Sequence, residues 1–130
     1  MKKITILLVI IFTFLFSTTS WGEWTYVKDN VFGSKFYYKK DRLRKSGKYF
    51  YFWELQDYIK PQVTGEFSST IYVQLDCSIF RHKWLNIIDY KNSMGEGDII
   101  SEGTPPDEWR YSPPNSIGEF LYNKICEEHQ

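Results

Sequence analysis

Hydrophobic and polar positions alternate most cleanly between Thr70 and Cys77, where Ile71, Val73, Leu75 and Cys77 share one face and Thr70, Tyr72, Gln74 and Asp76 the other. That period of two predicts a strand, with Cys77 on its core side. Further stretches rich in β-branched and aromatic residues read as strands over Trp24 to Lys28, Lys35 to Lys39, Tyr49 to Tyr58, Trp84 to Tyr90 and Asp98 to Ser101. Asp29-Asn30, Ser46-Gly47, Lys60-Pro61 with Gly65, and Asn92 to Gly95 separate them with turn chemistry. Short strands joined by brief turns pair antiparallel. In Tyr49-Phe50-Tyr51-Phe52-Trp53 both faces are aromatic, which predicts packing on each side of that strand.

One helix closes the pattern. Ser116-Ile117-Gly118-Glu119 forms a capping box, in which the serine hydroxyl and the glutamate satisfy N–H groups that a first helical turn leaves unpaired. Pro113-Pro114 forbids helix further back, and Ile117, Leu121 and Ile125 recur every four residues as an apolar stripe. Cys126 falls at the edge of that stripe, within reach of a sheet residue. These elements predict an α+β domain, an antiparallel sheet closed by a C-terminal helix.

The first residues follow a different pattern. Met1-Lys2-Lys3 is positive, Ile4 to Phe16 is nearly all apolar, and Ser17 to Gly22 is mostly small and polar, which is the layout of a secretory signal peptide over residues 1–22. Ser20 and Gly22 point to cleavage before Glu23, with Thr18 and Ser20 as the alternative pair. The apolar run is shorter than the roughly 20 residues that cross a bilayer, so no integral membrane segment is expected after cleavage. No cysteine precedes Cys77 to carry a lipid anchor. Residues 23–130 then form a single domain, and loss of Lys2 and Lys3 leaves it slightly acidic. Its expected location is periplasmic, or secreted and at the cell surface.

Two cysteines in an oxidising compartment imply one disulfide, Cys77 to Cys126, with two unpaired buried thiols as the alternative. The inventory for catalysis is thin. The histidines are His82 and His129, no G-x-S-x-G nucleophile motif occurs, and metal-ligand spacing is absent. The carboxylates, Asp76 among them, are scattered, and Gly95-Glu96-Gly97 lacks the lysine and helix of a phosphate loop. No enzyme activity, metal or cofactor is expected. A slightly acidic chain is likewise not steered as a whole toward nucleic acid.

Binding is better represented. Lys39, Lys40, Arg42, Arg44, Lys45 and Lys48 stand against the single acid Asp41, shouldered by Phe36, Tyr37, Tyr38 and Tyr49. Such a segment suits a sulfated glycan, anionic lipid heads or an acidic protein patch. The competing reading is a solvated connection whose lysines keep a sheet edge from pairing with another chain. Trp109 and Tyr111, between Pro105-Pro106 and Pro113-Pro114, stand in a stiffened loop that offers aromatic contact.

Several short motifs in fixed order carry a family resemblance. They are the opening Trp24, Tyr37-Tyr38, Gly47 with Phe50-Tyr51-Phe52-Trp53, and Tyr72-Val73-Gln74-Leu75-Asp76-Cys77 followed by Arg81. Asn92-Ser93-Met94-Gly95-Glu96-Gly97 comes next, then Trp109 with Pro113-Pro114 and Ser116-Ile117-Gly118, and the closing Cys126. In this order the chain from Trp24 to Cys126 resembles the surface-adhesin protein E family of small exported bacterial proteins. The resemblance implies a curved antiparallel sheet of about six strands, with its terminal helix tied on by a Cys77–Cys126 bond. It also implies a non-enzymatic role; the best-known member is lipid-anchored on the cell surface and binds host matrix proteins. The expected function is an exported binding module for a protein or an anionic polymer, and the alternative is a periplasmic inhibitor or accessory subunit of another envelope protein.

Overall fold

The computed structural model describes residues 23–129, so the expected signal peptide lies outside the described residues. Strands β1 (Thr25–Asp29), β2 (Lys35–Tyr38), β3 (Arg44–Ser46), β4 (Tyr49–Asp57), β5 (Ser68–Asp76), β6 (Arg81–Tyr90) and β7 (Ile99–Gly103) precede helix α1 (Ile117–His129). Every pairing is antiparallel, in the order β1-β2-β4-β5-β6-β7. β2 and β3 share one side of β4: β2 pairs with Glu54 to Asp57 and β3 with Tyr49 to Tyr51. Bulges interrupt β1 after Tyr26, β6 opposite Tyr72–Val73, and the β6–β7 ladder at Asp89–Tyr90. Each extra residue bends its strand and increases the local twist.

β3 is the element that the strand pattern does not predict. It falls inside the basic segment read as a connection, and Arg44-Lys45-Ser46 carries no apolar residue to mark it. Its pairing comes from the turn: Gly47, at φ +62°, opens a two-residue hairpin that lays Ser46 opposite Tyr49.

Alternation sets the core as expected along β5. Ile71, Val73 and Leu75 face α1, and opposite them in register stand Glu54, Phe52 and Phe50 of β4. From the helix, Leu121, Tyr122 and Ile125 are buried against that face, with Tyr38 of β2. The helix start matches the capping box with one change: Ser116 Oγ accepts from the Glu119 N–H at 3.1 Å, while the Glu119 carboxylate accepts from the N–H of Asn115, one residue earlier, at 3.3 Å. Cys77 and Cys126 are bonded, with Cα atoms 5.8 Å apart. The helix is thus fastened to the end of β5, on the core side that alternation assigned to Cys77.

The proline-flanked loop is pinned as well. His82 and Arg110 exchange backbone hydrogen bonds of 3.0 and 2.8 Å, which adds a one-residue extension to β6 beyond the reach of β7. Arg110 provides this because, unlike the prolines on either side of the loop, it has an N–H to donate.

Candidate binding face

No α-helix covers the opposite face of the sheet among the described residues; the 3-10 turn Ser93–Gly95 packs over Leu55 and Thr70 at one end, and the positions left beside it are aromatic. Tyr49, Tyr51 and Trp53 of β4 alternate onto it beside Tyr72 of β5. The rings of Tyr51 and Trp53 lie 6.2 and 4.9 Å from that of Tyr72, and Tyr49 continues the row to Trp109 at 5.5 Å. At the other end Trp24 joins Arg42, Trp53, Thr70 and Tyr90 around a cleft of about 210 Å³. Thr70 is buried, and its hydroxyl has no hydrogen-bond partner among the described residues.

Packing on both sides of β4 was the expectation; the structure has α1 on one side, and on the other the Ser93–Gly95 turn over Leu55 and cationic side chains over the aromatic positions. Lys39 Nζ lies 5.1 Å from the Trp24 ring, the Arg44 guanidinium 4.7 Å from Tyr51, and Lys48 Nζ 5.3 Å from Tyr49. Arg81 and Lys83 bracket Trp109 at 4.0 and 4.6 Å. Arg44 Nε also donates to the Tyr72 hydroxyl at 3.3 Å. Long basic side chains cover apolar rings with their stems while their charged ends stay in water, and each cation over a ring face gains further from the ring quadrupole.

The charges divide in two. Burial pushes the Asp76 carboxyl up, but hydrogen bonds from the Ser78 hydroxyl at 2.5 Å, Arg81 at 3.1 Å and the Ser78 N–H outweigh it and hold the group below the usual carboxylate range. Arg81 is therefore committed to Asp76, and Lys83 pairs with Asp107 at 2.8 Å. Lys39, Arg42 and Arg44 form no ion pair among the described residues. The uncommitted positive charge runs along the β3 edge of the face, from Lys48 over Tyr49 to Lys39 over Trp24.

Of the residues singled out in the sequence, Lys39, Arg42, Arg44, Lys48 and Trp109 come together on this face. Lys45 does not: it stands opposite Phe50, on the helix side, with Nζ 5.5 Å from that ring. Lys40 is oriented toward the helix end. The Glu128 carboxyl there is held below the usual range first by its hydrogen bond from Lys124 and further by the charge of Lys40. Tyr111 is exposed beside a second cavity under the helix start. Sequence reasoning missed Tyr51, Trp53, Tyr72, Arg81 and Lys83 as members of one surface. The spacing of Tyr49, Tyr51 and Trp53 was a usable signal; the meeting of Arg81 and Lys83 of β6 with Trp109 was not.

The family model described as surface-adhesin protein E matches residues 24–127. No curated protein sequence matches the chain. Among solved structures it is similar to Haemophilus influenzae protein E in its crystal form II, with 14% identity over 86% of this chain and 93% of that one and a TM-score of 0.61. A second structure of H. influenzae protein E gives 14% identity over 86% and 89%, with a TM-score of 0.60. At that identity the likeness establishes the shared fold.

Proposed function

The chain belongs to the surface-adhesin protein E family, and on that premise we propose that it is an exported, non-enzymatic binding module that holds an anionic polymer or acidic protein segment on its helix-free face. The observation that carries this reading is the aromatic row with Lys39, Arg42 and Arg44 unpaired beside it. Half-buried rings provide contact area at little entropic cost, and uncommitted guanidinium groups provide charge-assisted hydrogen bonds to sulfate or carboxylate. Export rests on the leader read at residues 1–22; the protein recovered from the envelope or medium then has the mass of a chain beginning at Glu23.

Heparin is a suitable probe, followed through the fluorescence of Trp24, Trp53 and Trp109. The expected result is saturable binding that weakens as salt rises, because exposed ion pairs are screened. Arg42→Ser with Arg44→Ser weakens it about tenfold or more, in the range of interface residues that matter. Lys45→Ser leaves it unchanged, since Lys45 lies on the other side of the sheet. Binding indifferent to salt and to the paired arginine substitutions would exclude this face.

A further inference from the structure

A second cavity, of about 280 Å³, lies on the helix side between β2, β4, β6 and the start of α1. Glu54 is on its wall and is 4% exposed. One carboxyl oxygen accepts from the Tyr122 hydroxyl at 2.8 Å, the other from Gln56 Nε2 at 3.0 Å, and no cation pairs with it among the described residues. His82 lines the same cavity, 5% exposed, with its ring 4.6 Å from that of Tyr122 and no side-chain hydrogen bond among the described residues. Phe36, Trp84 and Tyr122 supply aromatic wall, and the exposed Tyr111 stands at the opening.

A carboxylate enclosed by aromatic rings without a counter-ion is costly. A carboxylate has about four acceptor positions, and two hydrogen bonds leave room for more. A positive group entering this cavity gains the carboxylate, the faces of the rings and a neutral imidazole nitrogen that can accept one N–H. A metal ion fits poorly: no cluster of three or more metal-ligating side chains exists among the described residues. Arg110 lines the same cavity with its guanidinium 5.1 Å from the Trp84 ring, its charge paired with Glu108 at 3.1 Å, so a compact ammonium is the cation better matched to the Glu54 side. We infer that this cavity is a binding site for a primary alkylammonium group, borne by a lysine side chain of a partner or by a free small amine, with Glu54 as its counter-ion. The site is on the opposite side of the sheet from the basic face and takes a ligand of opposite charge.

The test uses the purified protein with its disulfide intact and n-butylamine as probe, with uncharged 1-pentanol of similar size as control. Followed by NMR at neutral pH, n-butylamine produces saturable shifts at the Trp84 indole N–H and the Tyr122 and His82 rings, and 1-pentanol produces none. Glu54→Gln, which keeps the shape of the side chain, weakens the amine at least tenfold. If that variant fails to fold, the unmodified protein still decides the matter: affinity for n-butylamine falls on acidification as Glu54 takes up a proton, while its aromatic contacts persist as intermolecular NOEs to Trp84 and Tyr122. An Nα-acetyl-lysine methylamide arm separates the sources: binding of both probes admits a lysine of a partner, and binding of n-butylamine alone restricts the site to free amines. Equal effects of amine and alcohol, or no shift with either, overturn the assignment.

Discussion

Replacing Cys77 and Cys126 together by alanine lowers the unfolding free energy by about 4 kcal/mol. The bond closes a span of 49 residues, and removing it returns to the unfolded chain the loop entropy that the cross-link had excluded. That loss is a large fraction of the 5–15 kcal/mol typical of a domain. It falls on α1 first, because the helix meets the sheet through one stripe: Leu121, Tyr122, Ile125 and the half-cystine Cys126. A 13-residue helix is marginal by itself in water. Denaturant unfolding of the oxidised protein and the double variant checks the magnitude, and hydrogen exchange checks the place. Amides of α1 lose protection in the variant more than those of β4 and β5, which remain paired on both sides. A midpoint unchanged between the two proteins would show that packing alone fastens the helix.

The order of strands and the closing helix were legible because each is marked by a local signal. The period of two in Ile71, Val73 and Leu75 identified the core face of β5, and Ser116 with Glu119 identified the start of α1. β3 was not legible, since Arg44-Lys45-Ser46 pairs only because the Gly47 turn returns the chain along Tyr49 to Tyr51. The start of β5 was hidden in another way. Ser68 and Ser69 are polar and read as loop, yet both are buried in the strand, where Ser68 Oγ donates to the Asn92 carbonyl at 2.6 Å and Ser69 Oγ to Asp89 at 2.5 Å. Partners 24 and 20 residues away in sequence satisfy those hydroxyls, and alternation carries no information about them.

The candidate face divides along the same line. Within the basic segment, strand parity decides membership: Arg44 stands opposite Tyr51 on the open side, Lys45 opposite Phe50 on the helix side. Adjacent residues in a strand point to opposite faces, so a charge cluster in sequence becomes two surfaces once β3 forms. The second half of the site, Arg81 and Lys83 around Trp109, depends on the bridge between His82 and Arg110. Nothing local to either segment announces that meeting. The two-sided aromatic run of β4 predicted packing on each side, and on the face away from the helix this comes from basic stems over Tyr49 to Trp53 and from the Ser93–Gly95 turn over Leu55 and Thr70.

The environment of His82 predicts an acid-sensitive fold. Burial first, and the nearby charge of Arg110 second, depress its pKa from 6.5 to about 4. The unfolded chain binds the proton readily at pH 5 while the folded protein refuses it, so this residue's contribution to stability is present above pH 6.5 and is lost as pH falls toward 4. The full difference is about 3 kcal/mol, at 1.36 kcal/mol for each pKa unit. Glu54 acts in the opposite sense: burial raises its pKa, so its contribution is greatest below the unfolded value and declines as pH rises through the folded one. Tyr122, packed against both, has its pKa raised well above the usual value by burial and by Glu54, and stays a neutral donor throughout. Asp76, held low, begins to lose its contribution as pH falls into the usual carboxylate range and goes on losing it below that range. Stability of the wild type minus that of His82→Phe, measured by urea unfolding at half-unit steps from pH 7 to 4, should therefore fall by about 3 kcal/mol. In Glu54→Gln the decline over the same interval is steeper, because the opposing carboxyl is gone. An NMR titration on the folded wild type tests the premise directly: the His82 ring resonances move with a midpoint near 4, and a midpoint near 6.5 would mean that burial does not hold the imidazole neutral.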